Sequence, residues 1–259
     1  MASRGLSPLH RLGQNFLHDH NILTKLVDAA DLKEGDLVVE IGPGTGTLTE
    51  ELLERGCRVI ACEIDQGLTT LLQEQFGDRI ELIHGDCLVK KQLNTGIVQA
   101  LGNASWKLVA NLPYQIASPL IVELLEHYPN CTGQYITIQF EVAQRLMAEV
   151  DDNHWGVLSI LVQRLAEVDL ITKVPHTCFW PQPTVQSACV SIIPSCEPLG
   201  SNSDEFALFV TGLFSKRRKQ LGSIVGRELQ MPEGIEQSAR PSTLSISQLE
   251  ALMKVVKTS

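Results

Sequence analysis

Residues 38–50 read VVEIGPGTGTLTE. An apolar run ends in an acid and passes into Gly42, Gly44 and Gly46, after which Leu48, Leu52 and Leu53 recur at helical spacing, with Gly56 as a stop signal. Missing side chains let the backbone turn sharply and approach a ligand closely before the helix begins. Three glycines in five positions weaken a helix start, so a turn that bound nothing would gain nothing from them. The stretch predicts a strand, a nucleotide-binding turn and a helix.

Working outward, the same alternation continues. From about residue 36, β-rich runs at 37–42, 58–65, 80–86, 107–114 and 134–141 are almost continuously apolar, as strands buried on both faces require, with helical patterns between them. The expected fold class is α/β: a doubly wound, mostly parallel Rossmann-like sheet with helices on both faces. VDLITKV (168–174) and SACVSIIP (187–194) flank the proline-rich PHTCFWPQPTVQ, which predicts a shaped loop between antiparallel edge strands and so an edge hairpin closing the sheet. SCEPLGSNSDE (195–205) reads as a linker. Phe206, Phe209, Val210, Leu213 and Phe214, then Leu221, Ile224 and Val225, then RPSTLSISQLEALMKVV, predict a small all-α C-terminal domain. The expected division is 1–198 for the sheet domain and 199–259 for the helical one.

The chain has 259 residues, 44% of them apolar, enough for a large core with a smaller appendix. It contains no run of 18 apolar residues, and MASRGLSPLHRLGQNF lacks the apolar centre of a secretory signal, so a cytoplasmic protein without membrane attachment is expected. Seven scattered cysteines without a C-x-x-C pair point to reduced thiols. No metal is expected, because His18 and His20 lack spaced partners; both read as polar loop residues. The net charge of -9 is uneven. Residues 1–199 hold 13 Lys and Arg against 24 Asp and Glu, or -11, and residues 200–259 hold 8 against 6, or +2. With Arg4, Arg11 and Lys25 also basic, an RNA partner stays open if the two ends of the chain form its electrostatic footprint.

Spacing selects the cofactor. A dinucleotide fingerprint is G-x-G-x-x-G, whereas here the glycines follow G-x-G-x-G and Thr47 stands at the third fingerprint position. Glu40 suits a cationic amino acid better than a pyrophosphate, which it would repel. Both facts favour S-adenosylmethionine over NAD. Glu63 ends the second run, 19 positions after Gly44, where a carboxylate can accept from ribose hydroxyls, and Asp86 ends the third, where it can take an adenine amine. The fourth run ends in Asn111-Leu112-Pro113-Tyr114. An adenine N6 amine is a poor nucleophile until its nitrogen is drawn toward a tetrahedral shape, and the Asn111 amide oxygen with the Leu112 carbonyl can take its two hydrogens. Pro113 biases Leu112 to an extended backbone, and Tyr114 offers a face for the base.

With these pieces in place the sequence closely resembles the ribosomal RNA adenine N6,N6-dimethyltransferases of the KsgA type. The likeness runs through LGQNFL (12–17), EIGPGTGTLT (40–49), CEID (62–65), GDCL (85–88), NLPYQIASP (111–119), EVAQRL (141–146), WGVLSILVQ (155–163), VPHTCFWPQPTVQSA (174–188), FSKRRKQL (214–221) and RPSTLS (240–245). It implies that Gln14, Asn15 and Leu17, with Gly42, Glu63, Asp86 and Asn111, border the cofactor. It also implies that Phe179 and Tyr114 clamp a target adenine flipped from its helix. The implied substrate is a pair of adjacent adenosines in the 3'-terminal hairpin loop of small-subunit (16S) rRNA, met within a pre-ribosomal particle. Lys216, Arg217, Arg218 and Lys219, expected on one helix with Phe214 and Leu221 on another face, are the implied phosphate contacts. The sequence departs from the family pattern at Phe140, Trp155, Thr184, Gln186 and Ser223.

Two alternatives stay open at this point. A macrolide-resistance methyltransferase acting on 23S rRNA would usually carry isoleucine at Leu112 and lack the RPSTLS-like ending. A mainly non-catalytic RNA-binding assembly factor would keep the pocket without turnover. Nothing in the sequence demands a partner chain, so a monomer is expected.

Overall fold

The computed structural model describes residues 13–196 and 204–258; Arg4 and Arg11 lie outside them. Its strands are β1 (Phe16–Leu17), β2 (Leu37–Ile41), β3 (Arg58–Glu63), β4 (Ile80–His84), β5 (Leu88–Val89), β6 (Gln92–Leu93), β7 (Trp106–Asn111), β8 (Cys131–Gln139), β9 (Ala166–Val174), β10 (Phe179–Trp180) and β11 (Ser187–Pro194). Its helices are α1 (His20–Ala29), α2 (Thr47–Glu54), α3 (Gln66–Phe76), α4 (Thr95–Leu101), α5 (Ala117–His127), α6 (Phe140–Leu146), α7 (Val157–Gln163), α8 (Asp204–Phe214), α9 (Leu221–Val225) and α10 (Ile246–Thr258).

Seven strands form one sheet in the order β4-β3-β2-β7-β8-β11-β9. The pairs β2/β3, β3/β4, β2/β7 and β7/β8 are parallel, as the helical crossovers between them require. Strand β11 enters antiparallel beside β8, with Cys189 opposite Thr137. The expected hairpin is present but only β9 is an edge. Pro181 and Pro183 precede Ser187, so β11 keeps the amide hydrogens it needs between two neighbours, and its buried face matches that place. In β9, Glu167, Asp169, Leu170 and Lys173 face water, as an edge strand allows.

Helix α1 forms where the polar residues His18 and His20 predict a loop, and His20 is its first residue. Asp19 caps it, its Oδ1 accepting from the amides of Asn21 at 3.0 Å and Ile22 at 3.2 Å. Leu23, Leu26 and Val27 are buried, each contributing about 1.5–3 kcal/mol by leaving water. At the other end Lys107 Nζ donates to the Ala30 carbonyl at 2.8 Å, a cation where the helix dipole is negative.

The described chain divides into two compact units, one running to Ala143 and resuming at Val168–Pro194, the other comprising Gln144–Glu167 and the chain from Ser195. The expected border at 198/199 lies close to the second crossing, but residues 144–167 fall with the helical unit rather than with the sheet. The reason is packing: Trp155 and Ile160 share a core with Phe206, Val210, Leu213, Leu249 and Leu252. In the same unit Arg164 Nε donates to Glu250 Oε1 at 2.8 Å while its guanidinium lies 4.3 Å above the Phe206 ring. Trp155, one of the departures from the family pattern, is an apolar plug here, and its indole nitrogen has no hydrogen-bond partner among the described residues.

Gly46 shows how the sheet unit constrains its glycine turn. It is the N-cap of α2 with φ +83°, and an added Cβ would lie 2.4 Å from Phe76 Cε2 and 3.2 Å from Leu72 Cδ2. The Gly46→Ala variant therefore meets both a left-handed backbone and a clash with α3, and is expected to lose about 2 kcal/mol or more in urea unfolding.

Candidate functional site

Parallel strands place their carboxyl ends on one edge of the sheet, and ligands of such sheets bind in the crevice outside those ends. Here the turns after β2, β3, β4 and β7 meet the segment before β1 to line one cavity. It receives Gln14, Asn15, Gly42, Gly44, Glu63, Asp86, Asn111, Leu112, Pro113 and Tyr114, all expected from the sequence.

Glu63 ties the crevice together. Its Oε2 accepts from the Gly44 amide at 3.1 Å and its Oε1 from the Asp65 amide at 2.9 Å, so one buried carboxylate holds the glycine turn against the end of β3. Burial pushes its pKa up, against the pull of those two amides. Asp65 in turn caps α3 through the amides of Gly67 and Leu68 and accepts from Gln14 Nε2 at 3.2 Å, tethering the first segment of the site. Asp86 accepts from the Leu88 amide at 3.0 Å. Two carboxylates on successive turns can accept from a diol and from an amine, which is the donor pattern of an adenosine.

At the far side of the cavity Asn111 Nδ2 donates to the Asn15 carbonyl at 2.9 Å. That bond fixes the sense of the amide: its nitrogen is engaged and its oxygen is the atom left to accept from a ligand. The next turn of chain follows Pro113, and Tyr114 is half-buried with its hydroxyl 2.7 Å from Ser187 Oγ on β11. Burial raises the phenol pKa, opposed by the Ser187 bond, so Tyr114 is neutral at ordinary pH.

Four expected residues are not in the lining. Glu40 is buried behind the glycine turn, where the Thr49 hydroxyl donates to its Oε2 at 2.6 Å. Burial, with the charge of Glu63 adding to it and Thr49 opposing, pushes its pKa up to about 8, so it does not present a free anion to a cationic ligand. Gly46 serves α2 and the fit against Phe76. Leu17 and Phe179 face each other across the β1/β10 ribbon, and both belong to the main core. With Phe179 only 1% exposed, its ring is committed to packing and presents no open face in this structure.

The sequence reading also missed participants. Phe16 lines the cavity in place of Leu17, because neighbours in a strand point to opposite faces. Ile64 lines it too and is 45% exposed, an apolar residue left in water immediately after Glu63. Cys62 and Cys87 lie there as well, their thiols pushed up to about 12 by burial, so they pack without acting as nucleophiles. Ser187 could be found only from its tertiary bond to Tyr114.

In the second unit the basic residues do not share a helix with Phe214 and Leu221. Helix α8 ends at Phe214, and Lys216 to Lys219 form a turn before α9. Arg217 donates to the carbonyls of Asn153 and Asp152, both at 2.9 Å, and so closes a loop of its own unit; Lys216, Arg218 and Lys219 are exposed.

The ribosomal RNA adenine dimethylase family model matches residues 8–257. A ribosomal RNA small subunit methyltransferase A from Clostridium perfringens is 39% identical over 260 residues, 95% of this chain and 89% of that protein. Among solved structures, a dimethyladenosine transferase from Plasmodium falciparum superposes with a TM-score of 0.76 at 27% identity, covering 94% of this chain and 98% of that one. A 23S rRNA methyltransferase, ErmE, gives 0.71 at 24% identity over 94% of this chain and all of its own, and shows the same fold.

The raised pKa of Glu40 has a defined consequence. A carboxyl that holds its proton to about 8 in the folded chain but to 4.5 when unfolded makes the folded state bind more protons between those values, so stability falls as pH rises through that window. Thermal melting from about pH 5 to about pH 8 should show this decline, and Glu40→Gln, which cannot ionise, should flatten it.

Proposed function

This chain belongs to the ribosomal RNA adenine dimethylase family, and from that premise we propose that it methylates N6 of adenosine in small-subunit rRNA, with S-adenosylmethionine as donor. The single observation that carries the reading is the Asn111 amide, its nitrogen held by the Asn15 carbonyl so that its oxygen is left to accept, in a cavity that Leu112 also lines.

When bound, S-adenosylmethionine supplies a methyl group on a positively charged sulfur. Glu63 and Asp86 would hold the ribose and adenine of that molecule, and Gly42 and Gly44 leave room for it beside β2. Asn111 Oδ1 and the Leu112 carbonyl accept the two hydrogens of the target amine and localise its lone pair toward the incoming carbon. Tyr114 supports the base by stacking, with Ser187 holding the phenol and so the plane of the ring. On receiving the methyl group, with the donor sulfur leaving as a neutral thioether, the target nitrogen would become acidic and lose its proton to water, so no side chain need act as a strong base. In-line placement does most of the work.

The substrate proposed is the pair of adjacent adenosines in the 3'-terminal loop of 16S rRNA, each receiving two methyl groups on the small subunit during ribosome assembly. Lys216, Arg218 and Lys219 would contact phosphates, the Arg217 side chain being occupied by its own unit. Phe179, 1% exposed here, would stack on the base opposite Tyr114 only with its ring uncovered. The enzyme would work in the cytoplasm as a monomer. All seven cysteines are free, and among the described residues no helix is long and apolar enough to cross a membrane.

Transfer of label from S-adenosylmethionine to undermethylated small subunits, with adenine N6 as the acceptor, tests the reading. Asn111→Ala is expected to lower kcat by about a hundredfold or more while donor affinity, measured by calorimetry, changes by only a few-fold. Label elsewhere than N6, or an unchanged kcat, refutes it.

A further inference from the structure

We infer that the outer face of Trp180 is a stacking platform for the unpaired base next to the adenosine being methylated, so that the protein holds two consecutive bases. The inference rests on the RNA methyltransferase reading and adds to it a contact beside the cavity.

Three observations support it. Strand β10 turns its two residues to opposite sides, which leaves Phe179 1% exposed in the core and Trp180 50% exposed in water. Trp180 is the register partner of Phe16, and the two rings stack with centroids 6.4 Å apart and planes 23° from parallel. Phe16 itself lines the cavity, its ring set on the glycine turn so closely that a Cβ on Gly44 would lie 2.7 Å from it. An aromatic surface thus continues from the wall of the cavity to solvent and ends on an indole.

A half-exposed indole is costly to leave in water and is not the habit of this chain, whose other two tryptophans, Trp106 and Trp155, are 3% and 2% exposed. The occupant follows from the reaction. Drawing one adenosine out of its stack also strips its neighbour of a stacking partner, and an exposed indole stacked on the cavity residue Phe16 replaces that partner whatever the base, because every base has a π face. The chemical class is therefore an unpaired nucleobase joined to the target by one phosphodiester.

Steady-state methylation of undermethylated small subunits tests this, together with titration of S-adenosylmethionine. Trp180→Ala is expected to raise KM for the subunits about ten-fold, with kcat falling less than KM rises and donor affinity like that of the wild type, and Trp180→Phe is expected to restore most of the loss. In a second measurement, a hairpin RNA with two adjacent unpaired adenosines in its loop should protect tryptophan emission from acrylamide. Protection should weaken when one of the two is made abasic. A KM within about twofold of wild type for Trp180→Ala overturns the inference, as does a defect confined to donor affinity, which would make Trp180 merely the packing partner of Phe16. Failure of the wild-type protein to methylate any adenosine is a separate result that overturns the functional reading and this inference together.

Discussion

The bond from Asn111 Nδ2 to the Asn15 carbonyl joins segments 96 residues apart and decides what the crevice can do. An amide side chain offers two donors and an acceptor, and at a strand end either group can turn toward a ligand. By engaging the nitrogen, the backbone of the first segment leaves the oxygen as the acceptor a primary aromatic amine requires. The segment is itself placed by Gln14 on Asp65, and Asp65 sits two residues beyond Glu63, whose carboxylate holds the glycine turn. A short chain of hydrogen bonds therefore connects the glycine turn after β2 to Asn111 at the end of β7.

Two buried carboxyls serve this arrangement differently. Glu63 receives two backbone amides and is the anchor between turns, whereas Glu40 has one hydroxyl partner and is held largely as the neutral acid. The charge of Glu63 adds to the burial of Glu40, so ionising both would place like charges in a low-dielectric interior. The pair is tolerable because its members need not be charged together.

The β1/β10 ribbon has only two residues in each strand, yet its register sorts four side chains by destination. Leu17 and Phe179 go to the core, Phe16 to the cavity and Trp180 to solvent. A shift by one residue would exchange all four. The ribbon thus fixes Phe16 in the wall of the cavity, with its aromatic residues divided among cavity, core and surface.

The sequence by itself determined the alternation of strands and helices, the glycine turn after β2 and the acids at successive strand ends, since buried parallel strands and tight turns leave local signatures in residue type and spacing. It also put Asn111, Leu112, Pro113 and Tyr114 at the end of β7, because the apolar run stops there. Helix α1 was legible in principle from Asp19 and the spacing of Ile22, Leu23, Leu26 and Val27, but the polar residues around His18 and His20 masked its start. Only the tertiary structure decided that Glu40 faces Thr49, that Phe179 is buried and Phe16 is not, that Tyr114 leans on Ser187, that Arg217 closes a loop and that residues 144–167 pack with the helical unit. Each of these turns on the register or pairing of segments distant in the chain. Periodicity tells which residues share a face of one element; which partner that face meets is settled by the packing of all elements at once.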